Sequence, residues 1–96
     1  MDSLNIIEKL RDMKPVLKEQ FGIEDFAVFG SIARGENSSN SDVDIVVLKS
    51  SKKNLIVRLK TIEFLEKKLN KKVDLGYYDG LKSIIKRKIE KDLIRV

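Results

Sequence analysis

Two aspartates one residue apart, Asp42 and Asp44, open an apolar run that continues to Leu48, and Gly30-Ser31 precedes them by a gap of ten residues. The runs on either side, Asp25 to Phe29 and Val43 to Leu48, are rich in aromatic and β-branched residues and read as β-strands. Alternate residues of a strand point the same way, so both carboxylates leave one face of a sheet. Held about 4 Å apart at an effective dielectric near 20, such a pair repels by on the order of 4 kcal/mol. A fold that keeps the pair must offset that cost, and a divalent cation with oxygen ligands is the usual means.

The Gly30-Ser31 turn adds the second half of a chemistry. Gly30 has no side chain, so a phosphate can come close to its backbone. Ser31 begins a short helix reaching about Arg34, which turns its amide and hydroxyl toward an anion at the positive helix end. Arg34, a turn later, either contacts that anion or braces the site by pairing with Asp42 or Glu36; the sequence leaves both open. A third acid lies in Lys72-Val73-Asp74-Leu75, a short strand whose Val73 and Leu75 point to the face opposite Asp74. Taken singly, each residue has an ordinary role: a tight turn, a helix cap, a loop aspartate, an exposed strand residue. Taken together, three acids beside a phosphate-type turn are costly without cations.

The remaining pattern supplies the frame. Leu4, Ile7, Leu10 and Leu17 fall near a helical stripe with Ser3 as its cap, and Pro15 interrupts it. Either the helix kinks there or a second one starts near Asp12, with Pro15 in its first turn. Gly22 ends the helical run. The segment from Glu36 to Ser41 is a polar, mobile loop. Leu55, Leu59, Ile62, Leu65 and Leu69 recur at helical spacing, Glu63 stands four residues before Lys67, and Asn70 closes that helix. Asp79 caps a last helix with Leu81, Ile85, Ile89 and Leu93 as its buried stripe, and Ile94 to Val96 forms a short edge strand. The expected fold class is α+β (α/β-like): one small mixed sheet flanked by helices, in a single domain spanning residues 1–96.

Composition narrows the chemistry further. With no Cys and no His, the chain has no disulfide, no zinc site of the Cys/His kind and no histidine acid–base catalyst. Carboxylates and a hard cation are what remain. The net charge of +5 suits a nucleic acid, an acidic protein or a phosphorylated small molecule. The lysines are spread along helices as solvated faces and no aromatic stacking platform is visible, so nucleic acid is not the expected partner. Tyr77 and Tyr78 at a strand end read as packing residues, with framing a base as the alternative, and Lys82, Lys86 and Arg87 read as solvated, with facing a partner or the nucleotide as theirs. No signal-like start or membrane-length apolar run is seen, and a soluble, cytoplasmic protein is expected.

Gly-Ser-x-x-Arg-Gly over residues 30–35, Ser-Asp-x-Asp over residues 41–44 and Val-Asp-Leu over residues 73–75 together resemble the minimal nucleotidyltransferases, small members of the DNA polymerase β-like superfamily. The resemblance covers nearly the whole chain and implies the polymerase β-like palm fold. It implies that Asp42, Asp44 and Asp74 are catalytic and hold two Mg2+ ions, with Asp74 on the side of the attacking hydroxyl and mainly positioning it. It implies that Gly30, Ser31 and Arg34 bind the nucleotide, with ATP as substrate. Members of the family are commonly encoded beside a HEPN-domain protein, with which they form a toxin–antitoxin pair. The implied activity is transfer of AMP from ATP to a tyrosine hydroxyl of that HEPN RNase toxin, silencing it, within a hetero-oligomer. Two other readings stay open: an antitoxin that neutralises by binding alone, and transfer to the hydroxyl of a small molecule.

Overall fold

The computed structural model of the chain describes residues 3–35, 42–52 and 54–96. The polar loop expected between Glu36 and Ser41 therefore lies outside the described residues. Two helices lead: α1 (Ser3–Asp12) and α2 (Lys14–Phe21). Pro15 is the second residue of α2, where a missing amide costs little, so the helix restarts there instead of bending. Ser3 falls within α1, not ahead of it. Strand β1 (Ile23–Phe29), a single helical turn α3 (Gly30–Ala33) and strand β2 (Val43–Ser50) follow. Then come α4 (Leu55–Leu69), β3 (Val73–Tyr77), a 3-10 turn at Tyr78–Gly80, α5 (Ser83–Glu90) and β4 (Ile94–Arg95).

The four strands form one sheet in the order β3-β2-β1-β4. β1 runs antiparallel to both β2 and β4, while β2 and β3 are parallel. A parallel pair needs a long crossover, and α4 supplies it. Its ends are set locally: Asn54 Oδ1 accepts from the Val57 amide at 2.9 Å, and Asn70 closes the helix in the left-handed region at φ 54°.

The period of two in the strands separates two cores. Phe26 and Val28 of β1, Val43, Ile45 and Val47 of β2, and Val73 and Leu75 of β3 bury against Ile6, Leu10 and Leu17 of the first helices and Leu65 and Leu69 of α4. Each such aliphatic side chain contributes roughly 1.5–3 kcal/mol of burial. On the other face Ala27, Val46 and Ile89 form a smaller cluster, with Phe29, Leu48, Tyr78, Leu81 and Leu93 packed around it.

Three expectations fail here. Leu55 and Leu59 are not part of the buried face of α4; they are 68% and 57% exposed, and Thr61, Leu65 and Leu69 are the residues that bury, while Arg58 in the first turns reaches the Leu75 carbonyl of β3 at 2.8 Å. Asp79 does not cap α5, since a 3-10 turn holds it and α5 starts after Lys82, which makes no side-chain cap bond. Ile85 is 43% exposed, which leaves Ile89 as the buried anchor of α5. The terminal edge strand is present, pairing Ala27 with Arg95 and Val28 with Ile94. Among the described residues no helix is long and apolar enough to cross a membrane.

Candidate active site

The same alternation that buries Val43, Ile45 and Val47 sends Asp44 to the opposite face, and Asp42 shares that phase. Asp74 lies between the buried Val73 and Leu75 and points the same way. Register then aligns them: Asp44 of β2 faces Asp74 of parallel β3 on one side and Phe29, the last residue of β1, on the other. Neighbouring strands lie about 4.8 Å apart, so carboxylates facing across one ladder step are close enough to repel. Asp44 registers this: its pKa is raised, first by burial, then by the charges of Asp74 and Asp42, and Arg34 opposes the shift. Asp42 and Asp74 are exposed, and Asp44 is half-buried.

Gly30 completes the contact from the β1 side. It sits at φ +73°, and a Cβ there would run into Asp44 Oδ2 and stand 3.3 Å from Asp44 Cγ. The backbone can therefore approach the carboxylate only without a side chain. Ser31 follows, half-buried, in the one turn of α3. One turn aligns few peptide dipoles, so the helix-end field expected from sequence is small here; the Ser31 hydroxyl and the local amides are what remain for an anion.

Arg34 closes the site on its far side. Its Nη1 donates to Asp92 Oδ2 at 2.9 Å, in the connection between α5 and β4. The bracing role is thus realised with a partner 58 residues away that local spacing could not suggest. Between Gly30, Arg34 and α5 lies an open cleft of about 440 Å³, whose lining includes Phe29, Ile89, Lys88 and Lys91. Sequence reasoning missed Lys88, Lys91 and Asp92. The only sequence signal was that Lys88 and Lys91 stand three apart, at the end of the last helix. Tyr77 packs against the larger core. The Tyr78 hydroxyl donates to Glu90 Oε1 at 2.5 Å, with Lys86 Nζ 4.7 Å from its ring centre. Both tyrosines pack against the sheet's core clusters.

The donor set, three carboxylates with no His or Cys, has the chemistry of a hard-cation site. The raised pKa of Asp44 comes first from burial and then from the charges of Asp74 and Asp42, and a cation would offset both. Among the described residues no group of three or more acids is drawn together closely enough to hold a metal ion by itself. The site is a row of acids open to solvent, the form taken by a site whose cation shares its oxygens with phosphates.

A mixed sheet with a carboxylate row beside a glycine-serine turn defines the nucleotidyltransferase class. A family model for the nucleotidyltransferase domain matches residues 10–96. A Methanocaldococcus jannaschii protein assigned as a protein adenylyltransferase is 40% identical over 94 residues, covering 95% of this chain and 94% of its own. The protein adenylyltransferase MntA of Thermococcus cleftensis is 37% identical over 83 residues, covering 86% and 84%. Among solved structures, one assigned as a minimal nucleotidyltransferase superposes with a TM-score of 0.81 at 26% identity, over 100% of this chain and 97% of that one. A toxin–antitoxin structure with AMP-PNP superposes with a TM-score of 0.71 at 25% identity, covering 99% of this chain and 72% of that one. The chain belongs to the nucleotidyltransferase domain family, among its minimal nucleotidyltransferases, and is an enzyme of that class.

Proposed function

We propose that residues 1–96 are a single nucleotidyltransferase domain that transfers AMP from ATP to a tyrosine hydroxyl of a cognate HEPN-domain RNase, silencing it as its antitoxin. The observation that carries the reading is the row Asp74–Asp44–Gly30, in which a buried-side strand, its parallel neighbour and a side-chain-free turn meet. The similarity to proteins named as protein adenylyltransferases supports the transferred group and the protein acceptor. A neighbouring fold seen in a toxin–antitoxin structure with AMP-PNP supports ATP and a toxin partner. Leu55, Ile56, Leu59 and Ile84 are all more than half exposed, apolar area that suits a hetero-oligomer.

In this reading Asp42 and Asp44 would hold Mg2+ with the triphosphate, and Asp74 would complete a second ion's set beside the acceptor. The ions when bound neutralise charge on the phosphoryl oxygens and make the hydroxyl easier to deprotonate. The chain's own groups do the positioning. Gly30 lets the α-phosphate lie against the backbone next to Asp44, and Ser31 donates to its oxygens. Arg34 adds a cation to the phosphates. Asp74 accepts the hydroxyl proton in a hydrogen bond and holds the tyrosine oxygen in line with phosphorus. The oxygen–phosphorus bond forms as the bond to the bridging oxygen breaks, pyrophosphate leaves, and the proton passes to solvent.

The test is co-expression with the neighbouring HEPN-domain protein, followed by intact mass of that protein and a count of surviving cells. Wild type should add AMP to the partner and restore growth; Asp42→Ala and Asp44→Ala should do neither. Growth restored by both variants without added mass would replace this reading with neutralisation by binding alone.

A further inference from the structure

The sheet order places Asp74, Asp44 and Gly30 in a row, since Asp44 pairs with Asp74 on one side and with Phe29, the residue before Gly30, on the other. An in-line displacement puts the entering and leaving oxygens on opposite sides of phosphorus. With the acceptor on the Asp74 side, the leaving group must depart past Gly30, toward α5. There the chain has built a cleft of about 440 Å³ that holds three cations, Arg34, Lys88 and Lys91, against one carboxylate, Asp92. Asp92 is already engaged with Arg34 at 2.9 Å. Lys88 and Lys91 pair with no carboxylate among the described residues. Phe29 and the buried Ile89 form an apolar wall, which weakens solvent screening and strengthens attraction for an anion.

We propose that this cleft is a pyrophosphate pocket, in which Lys88 and Lys91 join Arg34 on the departing diphosphate. Asp92 takes the place of that diphosphate when the pocket is empty, and holds Arg34 in position. Binding exchanges one carboxylate for a phosphate on the same guanidinium, which keeps the arginine paired in both states. The inference rests on the nucleotidyl-transfer reading and adds to it a side for each end of the substrate. The two lysines and Asp92 are positioning and release residues.

The experiment titrates Mg2+-pyrophosphate, AMP and ATP separately into the full chain as wild type, Lys88→Gln/Lys91→Gln and Asp92→Asn, with melting temperatures measured in parallel. Each exposed ion pair is worth up to about fivefold in affinity, so the double variant should bind pyrophosphate about tenfold more weakly and AMP within about twofold of wild type. Asp92→Asn should bind pyrophosphate about two- to fivefold more tightly, because the internal competitor is gone. A purely structural Asp92 would lower the melting temperature without tightening any ligand. Pyrophosphate binding unchanged in both variants, with ATP binding intact in wild type, overturns the pocket while leaving nucleotidyl transfer standing. A double variant that loses AMP and keeps pyrophosphate also overturns it. Wild type that binds neither ATP nor pyrophosphate with Mg2+ removes the nucleotidyl-transfer reading itself, and the pocket with it.

Discussion

Gly30 and Gly35 form a matched pair that separates backbone strain from damage to the site. Both sit at φ +73°, but an added Cβ meets Asp44 at Gly30 and, among the described residues, nothing within 4 Å at Gly35. Alanine at either position takes up a left-handed conformation at a cost of about 1–2 kcal/mol. At Gly30 the methyl must also push Asp44 off its rotamer, about 0.5–1.5 kcal/mol more for a displacement near 30°. In a chain of this size 1 kcal/mol moves the melting temperature by about 4–8 °C. Gly35→Ala should therefore lose about 5–15 °C, and Gly30→Ala a further 3–10 °C or so. Activity should separate them far more. Moving a positioning carboxylate by about 1 Å costs on the order of 100-fold in rate, so Gly30→Ala should transfer AMP about 100-fold more slowly while Gly35→Ala stays near wild type. Thermal unfolding followed by circular dichroism, with AMP transfer assayed well below both melting points, makes the comparison. Equal transfer rates in the two variants would refute the claim that Gly30 is glycine to admit Asp44.

Other substitutions test separate parts of the account. The Asp44 carboxyl has a raised pKa, so its ionised form opposes folding above that pKa, and the penalty fades as pH falls toward the ordinary aspartate value of about 3.9. Asp44→Asn should accordingly be more stable than wild type at pH 7 by about 1 kcal/mol, a figure discounted for partial exposure, with the gain gone near pH 3.5 and AMP transfer lost throughout. Urea unfolding at the two pH values measures the difference. Saturating Mg2+ should raise the melting temperature of wild type and leave Asp44→Asn unmoved, as linkage to a bound ion requires. Leu65→Ala should lose about 2–5 kcal/mol by opening a cavity, whereas Leu59→Ala, 57% exposed before the change, should stay within about 0.5 kcal/mol. Asn54→Ala, which removes the acceptor of the Val57 amide, should cost about 1 kcal/mol in the same unfolding assay and leave transfer intact.

Much of the fold was legible because the strands carry their burial in a period of two. Val43, Ile45 and Val47 against Asp44, and Val73 and Leu75 against Asp74, already say which face each acid takes. What could not be read was which strand adjoins which. The pairing of Asp44 with Asp74 depends on α4 crossing over to make β2 and β3 parallel neighbours, a nonlocal event. The same limit hid Asp92, whose partner Arg34 is brought to it only by the return of β4 to the edge of β1. Helical spacing misled at Leu55 and Leu59, since the face of α4 that buries is the one carrying Thr61, Leu65 and Leu69, and an apolar residue to one side of that face stays exposed. It misled at Asp79 too, where an acid with helix-capping chemistry is held in a 3-10 turn before α5 begins. Lys88 and Lys91 were not singled out for a related reason: a lysine's role depends on what faces it, and nothing in the local sequence places the Gly30 turn opposite α5.

The most direct test of the central claim is the fate of the two ends of ATP. The chain, the proposed HEPN-domain partner and Mg2+ are incubated with ATP labelled either at the α-phosphorus or at the γ-phosphorus, and the label on the partner is counted. Transfer across the Asp74–Asp44–Gly30 row predicts α-label on the partner, γ-label in released pyrophosphate, and neither with Asp44→Asn. Label arriving from the γ-position, or α-label arriving undiminished with Asp44→Asn, would contradict it.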